Sequence, residues 1–569
     1  MDRPAGGGRG DAGAGRRPGG GALTERRRDL LLLALLAALL VLPGLGGRSL
    51  WNPDEARYAE VAREMRLLGE WLVPHLNGEV YTQKPPLLFW LMNLASLVTG
   101  ELNEWAARLP SAVAAVATVL LTYRIGRRFF SRRAGWLAAA AFATSAKVLW
   151  QGRFGQIDML LTALVAAAVW FWVRGYTEGR PRLYPLFFLF AGLATLAKGP
   201  AGLLPPLLAI VVYLLVVRER GELRRMRIGL GLLLWAAVVA AWLVPAALDA
   251  GPAYLRTMIL EQNLTRYADP WHHFRPFWYY LWVLPADFFP WFALLPTALV
   301  VGWKRLRTAG EGRARQGYLF ALCWMVVTLV FFSASPAKRT VYVLTMYPAM
   351  ALLVGAALDR AAGRWRELSK GERRAFLWPL GAVAAFALLV AAAVPVAAPL
   401  HAADLVPLGP RLLAEVAVGF ALLAAGALAA WWLARRGRVP AAAGALAGGT
   451  AALGLVVFLL SVPRLDAGKS ARPLSGLLVE RMAPGEPYAM YPRLDPAFLF
   501  YTGRFSEPVH GEAELRELVR RPGRKWLLIE RDDLARVQES GGPLPLVEVA
   551  RDRDPREGYL LMTDPPAPE

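Results

Sequence analysis

Cysteine is nearly missing from this chain. Cys323 is the only one among 569 residues, so neither a disulfide within the chain nor a cysteine-rich metal site can form. No internal repeat is visible, and no Gly-rich phosphate loop: the Gly-Lys-Ser at Gly468 lacks the rest of a P-loop. Leu30 to Leu42 resembles a signal-peptide core, but no small-residue cleavage site follows it, so it reads as an uncleaved first span. Acidic residues are outnumbered, 44 against 65 Lys and Arg, giving a formal charge of +21. That excess does not point to nucleic acid. The arginines fall in short clusters between apolar runs, which is the positive-inside pattern of a membrane protein.

What the chain has in abundance is apolar sequence. Hydrophobic residues make up 56% of it and Trp occurs 21 times, suiting a bilayer core and its aromatic belts. Basic clusters run from Arg124 to Arg133, Arg174 to Arg182, Arg218 to Arg227, Lys304 to Arg315, Arg360 to Arg374 and Arg435 to Arg438. If all face the cytoplasm with the basic, Gly-rich tail 1–28, two spans must separate each neighbouring pair. The sequence supplies them at 134–151 and 159–174, 183–198 and 200–217, 228–248 and 278–302, 317–335 and 341–358, and 375–397 and 411–433, with a last span at 440–462. Three apolar stretches precede Arg124, at 29–47, 85–99 and 106–123. Three crossings there would invert every later loop, so the shortest, opening on Pro85-Pro86, reads as re-entrant or interfacial. The expectation is a polytopic α-helical membrane protein with about 13 transmembrane helices, N-terminus inside and C-terminus outside. Its membrane domain occupies 29–462, with outer loops 48–105 and 249–277. After Pro463 short apolar runs at 488–491, 498–501, 525–529, 546–549 and 559–562 surround a helical stretch 513–520. This predicts a small extracytoplasmic α/β domain over 463–569.

Under this topology the ionisable residues at membrane boundaries converge on the outer face. Asp54 and Glu55 follow the first span, in Trp51-Asn-Pro-Asp-Glu-Ala-Arg57-Tyr58, and Tyr81-Thr-Gln83-Lys84 comes next. Charges at such a boundary must pair, bind something or face water. Asp54 also suits a helix cap, Asp158 either a cap or a cavity, and Lys198 a snorkelling cation. The loop 249–277 contributes Glu261, Asn263, Arg266, Tyr267, His272 and His273, read as interfacial polar residues, since adjacent histidines seldom converge on one ion. Lys338 and Arg339 at an outer boundary run against the positive-inside trend and suggest an anionic ligand, most naturally phosphate. Carboxylates beside cations suit general-base or metal chemistry next to a phosphate leaving group. A lipid-linked phosphosugar fits that description.

The stretch Asn52–Tyr58, the element Tyr81–Pro86, Asp158, Lys198 and Lys338–Tyr342 followed by Tyr347-Pro-Ala resemble the lipid A 4-amino-4-deoxy-L-arabinose transferase family. That family is related to the protein O-mannosyltransferases, and both have the GT-C membrane glycosyltransferase fold. The resemblance runs in order from about residue 29 to 360 and, more loosely, into the outer domain. It implies a bacterial inner-membrane enzyme taking a sugar from polyprenyl (undecaprenyl) phosphate and passing it to lipid A, an envelope glycan or protein. By it, Asp54 matches the catalytic carboxylate and Asp158 a second acidic residue of the cavity. Arg57, Tyr58, Tyr81, Lys84, Lys198 and Tyr342 would line the donor site, with Lys84 and Arg266 on the phosphate. The family associates a metal with a Glu before that lysine and a His in the large loop. Here Gln83 and Asn263 stand there, both weaker ligands, so no divalent metal is expected. The alternative is a lipid or glycan flippase, which should place charges near the midplane and show paired halves; neither is seen.

Overall fold

The computed structural model describes residues 20–265, 274–308, 312–400, 409–552 and 558–565. Helix α1 (Gly20–Val41) begins inside the tail expected to be disordered up to residue 28. The run Ala22 to Arg28 consists mostly of good helix formers continuous with the apolar span, so it extends the helix. Pro43 and Gly44 then end it before residue 47. After Pro53, α2 (Asp54–Leu68) places Asp54 and Glu55 in its first turn and stops at Gly69, whose φ of 74° is the left-handed cap. A two-stranded hairpin, β1 (His75–Leu76) and β2 (Glu79–Val80), follows. Next come α3 (Leu87–Thr99), α4 (Glu104–Phe129), α5 (Arg132–Ala143), α6 (Ala146–Gln151), α7 (Ile157–Glu178), α8 (Tyr184–Lys198) and α9 (Leu204–Val216).

Nine helices among the described residues are long and apolar enough to cross a bilayer. The pair Tyr279–Asp287 and Trp291–Lys304, bent by 112°, makes a tenth if taken as one span. The remaining three expected spans correspond to α1, to the α5–α6 pair interrupted at Thr144 and Ser145, and to the short α9. Helix α3 has 13 residues, roughly 20 Å at 1.5 Å per residue, too short for a hydrocarbon core of about 30 Å. Helix α9 is as short and also begins with a Pro-Pro pair, but the 3-10 turn Gly199–Gly202 directly precedes it and adds to its length. Central to the bundle are α7 and Thr340–Arg364, buried along most of their length, whereas Ile228–Ala250 lies at the periphery with its apolar face open for lipid. Helices α4 and α5 cross closely because both contribute glycine. A Cβ on Gly135 would lie 2.7 Å from the Tyr123 carbonyl oxygen, so any larger residue would push them apart.

The C-terminal region is a four-stranded sheet in the order β3 (Tyr488–Tyr491), β4 (Trp526–Glu530), β6 (Tyr559–Thr563), β5 (Val547–Arg551). Strands β3 and β4 are parallel and the other pairs antiparallel. Alternation along β4 sends Leu527 and Ile529 to one face, packed with Leu515 and Leu518 of helix Glu512–Arg520. Trp526 and Leu528 face the other way, into the core shared with the membrane helices. The apolar run 498–501, expected as a strand, is helical instead, within Pro496–Thr502. Asp495 caps its start through the Ala497 N–H, Pro496 fills its first position and Gly503 ends it. This sheet region docks on the first loop: Asn77 and Ser506 exchange two hydrogen bonds of 2.8 and 2.9 Å, and the Leu50 N–H donates to Tyr501 at 2.7 Å.

Candidate functional site

Residues far apart in the chain meet where α2, α7, α8 and the segment before Thr340 come together. Asp158 lies in the first turn of α7 and Lys198 is the last residue of α8. A carboxylate at a helix N-terminus and a cation at a C-terminus each complement their own dipole. The antiparallel packing of the two helices then brings them into an ion pair. The Lys198 Nζ also lies 4.4 Å from the centre of the Tyr342 ring, a cation–π contact. A second ion pair joins Asp54 to Arg339. Arg339 feels the charge of Asp158 as well, and Tyr58 feels both carboxylates. The two pairs therefore form one electrostatic group.

Asp54 is largely buried, and burial pushes its carboxyl up. The Arg339 charge and hydrogen bond, joined by Arg57 and Lys84, outweigh this and hold it below the usual carboxylate range. It is therefore ionised at neutral pH. Burial first, then the charges of Asp54 and Asp158, drive the Tyr58 phenol well above its ordinary value, so it stays a neutral hydroxyl. Gln83 Oε1 accepts from Arg57 Nη1 at 3.3 Å. That amide is engaged with a cation. Among the described residues, no three or more His, Cys, Asp or Glu side chains group as a metal site.

Residues 83–244 match the family of dolichyl-phosphate-mannose-protein mannosyltransferases. An undecaprenyl phosphate-α-4-amino-4-deoxy-L-arabinose arabinosyl transferase of Pectobacterium carotovorum is 34% identical over 338 residues, 58% of this chain and 59% of that one. Its counterpart from Erwinia tasmaniensis is 32% identical over 360 residues, 62% and 63% of the two chains. The matched segment thus spans about six tenths of the length of these relatives. The crystal structure of ArnT from Cupriavidus metallidurans bound to undecaprenyl phosphate superimposes with a TM-score of 0.78 at 24% identity, covering 97% of this chain and all of that one. The resemblance read from the sequence holds. The chain has the GT-C membrane fold and is similar to the aminoarabinose transferases over about six tenths of its length.

Not every residue expected at the site lies there. Glu55, expected beside Asp54, belongs to a separate closed network. Its two oxygens accept from Arg48 at 2.7 and 3.1 Å and from Arg108 at 2.8 and 3.0 Å, and also from the backbone N–H groups of Trp51 and Gly155. Neighbours on a helix point about 100° apart, which sends Asp54 and Glu55 to different partners. Lys338 is also tied elsewhere, donating to the carbonyls of Ser335 and Arg275 at 2.5 and 3.0 Å. It holds the chain turn that presents Arg339, so the ligand-binding expectation narrows from the pair to Arg339. Tyr81 packs its ring on Phe89 and lies within electrostatic reach of Tyr58. Arg266, Tyr267, His272 and His273 lie outside the described residues, as does the Asn263 side chain. Sequence reasoning missed Arg48 and Arg108. Arg108 offered a signal: a cation inside an apolar run, at the end opposite the basic clusters, must find a buried carboxylate.

Proposed function

We propose that this chain is an integral membrane glycosyltransferase of a bacterial inner membrane. It moves a sugar from polyprenyl phosphate to an extracytoplasmic acceptor such as lipid A, an envelope glycan or protein. The supporting observation is the single electrostatic group formed by Asp54–Arg339 and Asp158–Lys198, with Tyr58 within electrostatic reach of both carboxylates. It sits at the helix ends opposite the arginine clusters, so the positive-inside rule puts it, with the C-terminal sheet docked beside it, on the periplasmic side. The likeness to transferases whose names specify undecaprenyl phosphate-α-4-amino-4-deoxy-L-arabinose makes that the donor to try first.

In the transfer, the acceptor oxygen bonds to the anomeric carbon while the bond from that carbon to the phosphate oxygen breaks, with inversion. Polyprenyl phosphate leaves with the electron pair. Lys84, Arg57 and Arg339, all within electrostatic reach of Asp54, supply the cations that stabilise the departing phosphate. A carboxylate held below its ordinary range is a weak base. Asp54 therefore serves better to orient and stabilise than to deprotonate, which favours an acceptor that arrives ionised, such as a lipid A phosphate. Asp158 holds Lys198 against Tyr342 and shapes the sugar-facing side.

The test uses the purified chain with undecaprenyl phosphate-4-amino-4-deoxy-L-arabinose and lipid A, followed by mass spectrometry. Glycosylated lipid A and free undecaprenyl phosphate should appear together. If neither forms from this donor or from other polyprenyl-phosphate sugars, the proposal fails. Orientation is checked separately: a Ser540→Cys variant should react with a membrane-impermeant thiol reagent from the periplasmic side.

A further inference from the structure

At the opposite ends of the same helices lies a second charged centre that the transfer reaction does not use. Six arginines line one hollow of about 530 Å³: Arg26 of α1, Arg124, Arg127 and Arg128 of α4, Arg174 of α7, and Arg313 at the start of helix Arg313–Ala334. Four separate helices supply them. Among the described residues the only carboxylate in the lining is Glu178, and it is already shared: Arg174 approaches it at 3.3 Å, Arg180 at 3.4 Å and Arg128 at 3.9 Å. Arg127 donates to the Tyr123 hydroxyl, its one hydrogen bond among the described residues, and Arg128 Nε donates to Thr177. The Nε of Arg124 is buried and meets no acceptor among the described residues. The C-termini of α4 and α7 each add about half a negative charge. The hollow still keeps a surplus of roughly four positive charges in a partly enclosed space.

Membrane orientation alone asks for no such convergence. It requires basic residues in the loops, free to spread into water, as Arg435 and Arg436 do by lying over Trp431 and Trp432 at 4.6 and 3.8 Å. Gathering six guanidinium groups around one space costs repulsion that an anion must relieve. The hollow is several times larger than one phosphate. Its wall also includes Trp170, an amphipathic ring suited to the level of lipid head groups.

We propose that this hollow is a binding site for a phosphoanion carrying at least two phosphate groups. The ligand class that fits is the head group of a doubly anionic phospholipid of the cytoplasmic leaflet, held by guanidinium forks on its phosphates. The site is separate from the transfer centre and its occupancy does not depend on the transferred sugar.

Purified full-length protein is loaded with a phospholipid of two phosphodiesters, or with a neutral phospholipid, and retention is read by native mass spectrometry. The variant Arg26→Gln/Arg313→Gln changes only two residues, one in the second turn of α1 and one at the start of its helix, and should keep the fold. It should lose at least tenfold in retention of the diphosphate lipid and nothing for the neutral one. Arg435→Gln/Arg436→Gln, which removes the same charge elsewhere on that face, should retain lipid like the parent. A parallel thermal-shift titration with inorganic pyrophosphate separates the sources. Stabilisation by the lipid but not by pyrophosphate assigns the membrane ligand, whereas stabilisation by pyrophosphate alone overturns the lipid assignment. Equal retention by both variants and the parent overturns the site itself, and equal loss in both variants reduces it to general surface charge.

Discussion

Asp54 and Glu55 are adjacent in the chain and occupy opposite kinds of site. Glu55 is saturated, with two guanidinium groups and two backbone N–H groups surrounding its oxygens and almost no exposure. Burial opposes its charge, but Arg108 and Arg48 more than offset this and bring its carboxyl down to about 2. Asp54 is paired through one oxygen to one arginine, which is itself pulled by a second carboxylate. A fully satisfied buried pair has nothing left to offer a ligand, whereas an under-satisfied one does. The difference separates a strut from a working group more sharply than burial alone, since both side chains are buried.

The contrast can be broken most violently at Glu55. Glu55→Ala leaves Arg48 and Arg108 buried without their counter-charge, a loss of about 3–5 kcal/mol. The variant should melt far below the parent in detergent, and an unchanged melting temperature would dissolve the distinction. Asp54→Asn should do the reverse, keeping its melting temperature while transfer falls by about 10²–10³-fold; full activity would remove Asp54 from the reaction.

Titration sharpens the same comparison along one helix. Glu55's folded value lies below the usual 4.5, so its stabilising effect is complete above that pH and disappears as pH falls from 4.5 toward 2. Glu60 behaves oppositely. Burial, with Glu64 adding to it and Arg63 opposing, raises it to about 7. Its contribution is complete below 4.5 and is lost as pH rises to about 7. Glu60→Gln should therefore raise the melting temperature at pH 8 more than at pH 5, and a uniform shift would contradict the assignment. Smaller effects separate the cations. Lys84→Ala should raise the donor KM by roughly tenfold, the worth of one charge-assisted contact, with the acceptor KM unchanged. Lys338→Met should cost about 1–2 kcal/mol of stability and leave the donor KM alone; a raised donor KM would return Lys338 to the binding site.

The span pattern was legible because hydropathy and arginine placement obey constraints imposed by lipid, which act on sequence directly. Each expected crossing meets helical structure, and α3 was set apart because three crossings before Arg124 would have inverted every later loop. The meeting of Asp54, Asp158, Lys198 and Arg339 followed from the same reasoning, since topology sends them to one face. Finer sorting was not legible. Whether Glu55 or Lys338 faces the shared group depends on helix phase and local turns, which charge counting does not resolve. The helix at Pro496–Thr502 was hidden because four apolar residues carry no period long enough to tell strand from helix. Its caps, Asp495 and Gly503, were the missed signal.

The order in which ribosomal synthesis delivers these partners adds a consequence. Glu55 has its last contact in hand once Gly155 has emerged, 100 residues downstream. Asp54 waits for Arg339, 285 residues downstream. A chain made from its N-terminus can thus settle the rigid junction beneath α2 early, and the group proposed to handle substrate closes only when most of the membrane bundle is in place. A partly inserted protein would carry a finished foundation and an inert centre, which keeps immature chains from acting on passing lipid.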